Sequence, residues 1–216
     1  MQNQETPNFD QLYRLVESQR GFFTAVQAKE FGYSQQLQSY YVTNGQWVRK
    51  ARGIFKLKHF PAPFLQDDLY STYLWTCNRK GVPEGVFSHG TALYLHQVST
   101  YVPPQFEVTV PKGFRRYSRP PYGKVRLIHR DLADSDCESM QGLKVTKLLK
   151  TIVDLLEEGL LDRDYILDAL RTGLQRLLIT HSQMKALQLT STQRERFVKA
   201  LERIGYDRVD EIQQRP

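Results

Sequence analysis

Three short stretches of the sequence carry side chains able to do acid–base or metal chemistry, and their spacing decides what each offers. His129-Arg130-Asp131-Leu132 matches the triplet that holds the catalytic base of a protein kinase, in which an Asn must follow the Asp by five positions. Here that position is Asp136, no glycine-rich phosphate loop precedes the triplet and no Asp-Phe-Gly follows. Arg130 and Asp131 are therefore expected as a strand-end surface pair. His89 and His96 stand seven residues apart, two turns along one helical face. A third ligand at metal spacing is missing, which favours core or surface histidines over a zinc site. Asp134-Ser135-Asp136 has the form of a divalent-metal carboxylate pair, but no Gly-Ser motif stands upstream to complete a nucleotidyl-transfer site. Cys77 and Cys137 lie far apart without CxxC spacing, so both are expected as free thiols. These readings assign no catalytic residue, no metal and no cofactor, and the chain is not expected to be an enzyme.

Charge offers a different chemistry, the binding of a polyanion. The 216 residues include 30 Lys and Arg against 23 Asp and Glu, a net charge of +7. Residues 1–60 hold 8 basic and 4 acidic side chains, residues 61–130 hold 9 and 4, and residues 131–216 hold 13 and 15. A basic front and a near-neutral back suggest that nucleic acid meets the front of the chain. Within Trp47–Lys58 there are five cations and no acid. A second cationic segment runs from Lys112 to Arg130, with Arg115, Arg116, Arg119, Lys124 and Arg126 between them and again no acid. With Phe114, Tyr117 and Tyr122 it has the basic and aromatic mix that holds nucleic acid or an acidic partner. Gly113, Gly123 and Pro120-Pro121 equally allow a mobile, merely solvated loop.

The elements needed to position such residues are legible around them. Phe9, Leu12, Tyr13, Leu15 and Val16 recur with helical spacing before Gly21. Thr24 is suited to cap a short helix closed by Gly32, and Ser34 to cap another over Gln35–Asn44. In that third helix Leu37, Tyr40 and Tyr41 are expected on the inner face, while Gln35, Gln36, Gln38 and Ser39 point outward. The tight Phe31-Gly32-Tyr33 link makes a helix-turn-helix. The stretch after Asn44-Gly45 reads as a hairpin turning at Gly53, in other words a wing. Ser34, Gln35, Gln36, Gln38 and Ser39 would then read base edges in the major groove, and Arg49, Lys50 and Arg52 would touch phosphate or minor groove. Tyr40, Tyr41 and Trp47 are expected as core aromatics.

The proline-containing residues 59–66 suggest a linker and a boundary near residue 60, giving a winged helix-turn-helix over 1–60 and a second domain over 61–216. In the second domain, helices are expected over Asp67–Asn78 and from Ser88 to His96. Strands are expected at Phe106–Val110, Val125–Ile128 and Leu143–Val145, with a helical C-terminal part from Lys147. The fold class is α+β. No apolar run approaches the roughly 18 residues of a membrane span, and the polar start lacks a basic-then-apolar signal pattern. No membrane partner and a cytoplasmic location are expected.

The segment Gly32-Tyr33-Ser34-Gln35-Gln36-Leu37-Gln38-Ser39-Tyr40, followed by Gly45-Gln46-Trp47 and Ala51-Arg52-Gly53-Ile54-Phe55-Lys56-Leu57, resembles the N-terminal winged helix of AbiEi-type antitoxins. Three later segments resemble that family's C-terminal region in order and spacing. They are Phe87-Ser88-His89-Gly90-Thr91-Ala92-Leu93, Phe106-Glu107-Val108-Thr109-Val110-Pro111, and Leu143-Lys144-Val145-Thr146 with Thr151-Ile152-Val153-Asp154-Leu155. The resemblance covers roughly residues 9–170 and departs after Thr146, where Lys147-Leu148-Leu149-Lys150 replaces a polar, proline-containing turn. It implies the antitoxin half of a type IV toxin–antitoxin, phage-defence pair whose toxin is nucleotidyltransferase-like. It also implies autorepression, with a monomer or weak dimer binding inverted repeats in the operon's own promoter, and an antitoxic C-terminal domain. Two other readings stand beside it. One is a winged-helix transcriptional regulator without a toxin. The other is a nucleic-acid-processing enzyme using His89, His96, Asp131 or Asp136.

Overall fold

The structure is a computed structural model that describes residues 7–61, 67–116 and 118–213. Residues 62–66 of the expected linker, and Tyr117 of the second cationic segment, lie outside the described residues. The chain is α+β, and its described strands form one three-stranded and one five-stranded sheet.

The N-terminal elements are α1 (Phe9–Ser18), β1 (Phe22–Thr24), α2 (Ala25–Glu30), α3 (Gln35–Thr43), β2 (Trp47–Ala51) and β3 (Ile54–Leu57). Each helix begins on a side-chain cap. Asn8 accepts from the Gln11 amide, Ser34 from that of Leu37, and Thr24 forms a reciprocal capping box with Gln27. The short strand β1 was not expected. Its residues pair antiparallel with β3, Phe23 opposite Phe55, so the sheet order is β1-β3-β2. All three β1 residues are buried, and Phe23 joins Leu12, Val16, Ala28, Tyr33, Trp47 and Phe55 in one core.

The chain divides into two compact units, and not at residue 60. One unit holds the chain up to Val86 with Thr109–Asp131 and Ser139–Lys144; the other holds Phe87–Val108, Leu132–Glu138 and Val145 onward. The reason lies in α4 (Asp67–Trp75), which packs on β1 and β3. Its Tyr70 stacks on Phe22 with ring centres 5.7 Å apart. Its Asp67 carboxylate is held by Lys50 at 2.9 Å and Lys56 at 2.7 Å. An ion pair and an aromatic stack thus bind the residues after 60 to those before it.

That clamp carries a pH signature. Burial works to raise the Asp67 pKa, but hydrogen bonds from Lys56 and Lys50 outweigh it and hold the carboxyl below its usual value. For Lys50 burial works downward, and the Asp67 hydrogen bond and charge outweigh it, leaving the ammonium above its usual value. The stabilisation is therefore present between the two ordinary values. It is lost as pH falls through the lowered Asp67 value or rises through the raised Lys50 value. Asp67→Asn should cost about 2 kcal/mol at neutral pH, between the exposed and buried limits for ion pairs. In urea unfolding, the gap between the two proteins should close on acidification below about pH 4.

The remaining strands are β4 (Val86–Phe87), β5 (Phe106–Val110), β6 (Val125–His129), β7 (Cys137–Met140) and β8 (Leu143–Thr146). They stand in the order β6-β5-β4-β8-β7, with β4 parallel to β8. The short β4 and β7 were not expected. The helices of the second unit are α5 (His89–His96), α6 (Leu148–Glu158), α7 (Arg163–Gln175), α8 (His181–Ala186), α9 (Ser191–Arg203) and α10 (Asp210–Gln213). Ile152, Ile166, Leu170, Met184, Phe197 and Leu201 share one core, so the helices after residue 180 pack onto their own unit.

Candidate nucleic-acid interface

Helix α3 is held from beneath by aromatic rings. Tyr41 stacks on Trp47 at 5.0 Å, and Tyr33 packs against both Tyr41 at 5.5 Å and Trp47 at 5.2 Å. Its outward face presents Gln35, Gln36 and Ser39, all exposed, with Ser34 exposed at the cap. No charged residue falls in Gln35–Thr43, so this face offers hydrogen bonds and apolar contact without net charge. The Ser39 hydroxyl donates to the Gln35 carbonyl at 3.0 Å, and the Ser34 hydroxyl accepts the Leu37 amide at 3.3 Å.

Two residues of α3 exchange the roles expected of them. Gln38 is only 6% exposed, and its amide nitrogen donates to the Ala25 carbonyl at 3.0 Å and to the Tyr33 carbonyl at 2.8 Å. It pins α3 to the start of α2 and to the intervening turn and does not point outward. Tyr40, expected inside, is 58% exposed beside Gln36 and Ser39, because Tyr41 occupies the inner position next to it. The interface therefore gains an aromatic hydroxyl and loses an amide. Gln38→Ala should destabilise the first unit by about 1–3 kcal/mol through the lost buried hydrogen bonds, measured by chemical unfolding. Gln36→Ala on the outer face should change stability by under about 0.5 kcal/mol.

The hairpin places its cations unequally. β2 and β3 pair antiparallel with an irregularity between Arg49 and Ala51, which makes Lys50 the extra residue of a bulge and re-aims its side chain. Lys50 turns to Asp67 and is already paired. Lys56, half-buried, shares that carboxylate and lies 5.3 Å from the Phe22 ring centre. Arg49 and Arg52 are exposed. The Arg49 guanidinium lies 5.6 Å from the Phe55 ring centre, a cation–π contact that steadies the stem and leaves the side chain at the surface. Gly53, at φ +73°, lets the hairpin turn beside Arg52. Arg49 and Arg52 are thus the hairpin cations best placed for phosphate, and Lys50 is mainly a bridge to α4.

The second cationic segment belongs to the same compact unit, and it is anchored. Phe114 is buried, with its ring 6.3 Å from that of Trp75. The Trp75 indole N–H donates to the Ser118 carbonyl at 3.1 Å and hydroxyl at 3.0 Å. Arg116 donates to the Cys77 carbonyl at 3.0 Å, and Tyr122 lies near enough to Lys50 to act on its charge. Lys112, Arg115, Arg116, Arg119 and Lys124 are exposed, and Arg126 is half-buried. Helix α4 therefore connects the two cationic segments, through Asp67 at one end and Trp75 at the other.

The residues that suggested catalysis are engaged with other partners. Asp131 faces Lys112 across an exposed 3.8 Å gap. His89 is fully buried, with Nδ1 2.9 Å from the Ser88 hydroxyl and Nε2 3.0 Å from Glu158. His96 Nε2 lies 2.9 Å from the Thr146 carbonyl. The two imidazoles thus serve different partners. Asp134 and Asp136 sit in a single 3-10 turn. Among the described residues no group of three or more His, Cys, Asp or Glu side chains is placed to hold a metal ion. Cys77 and Cys137 are buried free thiols, and burial pushes the Cys77 thiol up to about 12, which keeps it protonated and poorly nucleophilic.

Among the described residues no helix is long and apolar enough to cross a membrane. The chain matches no known protein family and no curated protein sequence.

Proposed function

We propose that the N-terminal elements are a winged helix-turn-helix that binds duplex DNA, with α3 in the major groove and the β2–β3 hairpin as its wing. The observation that carries this reading is the pairing of an uncharged, exposed hydrogen-bonding face on α3 with exposed Arg49 and Arg52 on an acid-free hairpin. The first suits base edges and the second suits phosphate. Gln35, Gln36, Ser39 and Tyr40 are the side chains offered to bases. The anchored segment from Lys112 to Lys124 supplies further cations in the same unit, suited to the DNA backbone.

On this reading, together with the resemblance to AbiEi-type antitoxins, the chain is a cytoplasmic autorepressor. It is also the antitoxin of a type IV pair whose toxin is nucleotidyltransferase-like. A palindromic operator would take two copies of the protein about one helical turn apart, roughly 34 Å. The test is a gel-shift titration against the DNA upstream of its own gene and a scrambled duplex of equal length, at two salt concentrations. Upstream-selective binding that weakens with salt supports the repressor, and co-expression with a nucleotidyltransferase-like toxin, if one is encoded beside this gene, then tests rescue of growth. Equal, weak binding to both duplexes would leave only a basic surface and defeat the proposal.

A further inference from the structure

Residues 131–216 carry 13 basic and 15 acidic side chains, yet one groove of the second unit runs against that balance. Between α6, α7 and α9, a cavity of about 290 Å³ is lined by Arg163, Arg196, Lys199 and Arg203 against one acid among the described residues, Glu195, a net formal charge of +3. Its apolar walls are Leu156, Leu167 and Ala200. Arg196 is held in place because its guanidinium donates to the Leu156 carbonyl at 3.0 Å and to the Glu157 carbonyl, at the C-terminal end of α6. Lys199 and Glu195 pair at 2.6 Å with side chains 63% and 64% exposed. A pair so exposed contributes little and opens at small cost. Arg163, the first residue of α7, and Arg203, the last of α9, are exposed. Among the described residues no ion pair engages either of them.

Two guanidinium forks without acidic partners, a releasable ammonium and a fixed guanidinium therefore face one small space. Such forks match phosphate oxygens in pairs. The volume lies at the lower end of small-ligand sites and exceeds what a single phosphate fills. A chain of phosphates packs several negative charges into that length, whereas the carboxylates of an extended acidic peptide are spread over a longer one. Among the described residues no aromatic ring lines the groove, so none of them stacks there on a nucleobase.

We propose that this groove binds an oligophosphate, free or carried on a nucleotide, through Arg163, Lys199 and Arg203, with any base left outside. The proposal does not depend on the DNA-binding reading. It is tested by isothermal titration of the full chain with tripolyphosphate and with AMP, ADP, ATP and GTP. Expected are saturable binding that strengthens with phosphate number and equal affinity for ATP and GTP. Arg163→Gln combined with Arg203→Gln should weaken binding by about tenfold or more with the thermal midpoint unchanged. Glu195→Gln, which removes the opposing charge, should strengthen it. If tripolyphosphate affinity is unchanged in the Arg163/Arg203 variant the proposal fails, and its loss in an Arg49→Ala/Arg52→Ala variant would place the anion on the hairpin instead. It also fails if no ligand binds at millimolar concentration, if affinity follows the base and ignores phosphate number, or if polyglutamate binds better than tripolyphosphate.

Discussion

Trp47→Ala should destabilise the N-terminal unit by about 4 kcal/mol, the usual cost of deleting a buried indole. Trp47 is 3% exposed and is the ring on which the others converge. Phe23 meets it edge-on at 4.6 Å, Tyr41 stacks on it at 5.0 Å, and Tyr33 and Phe55 lie 5.2 and 5.7 Å away. These partners come from β1, α3, the turn before α3, and β3, so one side chain fixes the angle between the α3 face and the hairpin. Single domains are stable by about 5–15 kcal/mol, and a loss of this size leaves the unit near its unfolding threshold. Urea titration followed by circular dichroism measures it. Trp47→Phe, which keeps a ring in the site, should recover part of the loss. A cost below about 1 kcal/mol for the Ala variant would mean that α3 and the hairpin are held together by something other than this ring.

The same cluster shows what could be read from the chain and what could not. Ser34 and Thr24 announced helix starts because a capping hydroxyl before an apolar, periodic segment has a local cause, and both caps are made. Phe106–Val110 announced a strand because its apolar and polar residues alternate, and β5 has those bounds. Strand β1 gave no such sign: Phe22, Phe23 and Thr24 are all buried, and the few residues between the stop at Gly21 and the cap at Thr24 are too short a run to show a period. Gln38 misled because its polarity says surface. Only the backbone carbonyls of Ala25 and Tyr33, brought to it by the turn, make burial favourable for an amide. Tyr40 and Tyr41 are both expected on the inner face, yet they differ by one position, 100° around a helix, and only Tyr41 stacks on Trp47 while Tyr40 is left exposed. The Lys50–Asp67 pair spans a proline-containing stretch that suggested a boundary, so the contact that joins its two sides was invisible to a reading built on local signals. What was legible was locally determined, and what was missed was set by tertiary partners.

If α3 and the hairpin bind DNA as proposed, removing Arg49 and Arg52 together should flatten the salt dependence of that binding by about 1.8 in the slope of log K against log salt, at about 0.9 for each phosphate no longer neutralised. It should also weaken binding by about tenfold or more at physiological salt, for upstream and scrambled duplexes alike, since the arginines' contacts with phosphate carry little sequence information. Gln36→Ala should act in the opposite sense, costing about 1–3 kcal/mol of discrimination between the two duplexes while leaving the slope intact. Lys50 separates this account from one based on charge alone. A count of cations makes it equal to its neighbours, but its ammonium is already 2.9 Å from the Asp67 carboxylate, and leaving that carboxylate for a phosphate would break the clamp onto α4. Lys50→Ala should therefore lower stability and change the slope by less than either arginine does alone. Asp67→Asn, which releases both Lys50 and Lys56, should steepen the slope and raise affinity for the scrambled duplex. Gel-shift titrations at three or more salt concentrations measure all of these effects. If Lys50→Ala flattened the slope as much as an arginine substitution, Lys50 would have to leave Asp67 when DNA binds. The hairpin and α4 would then separate on the operator.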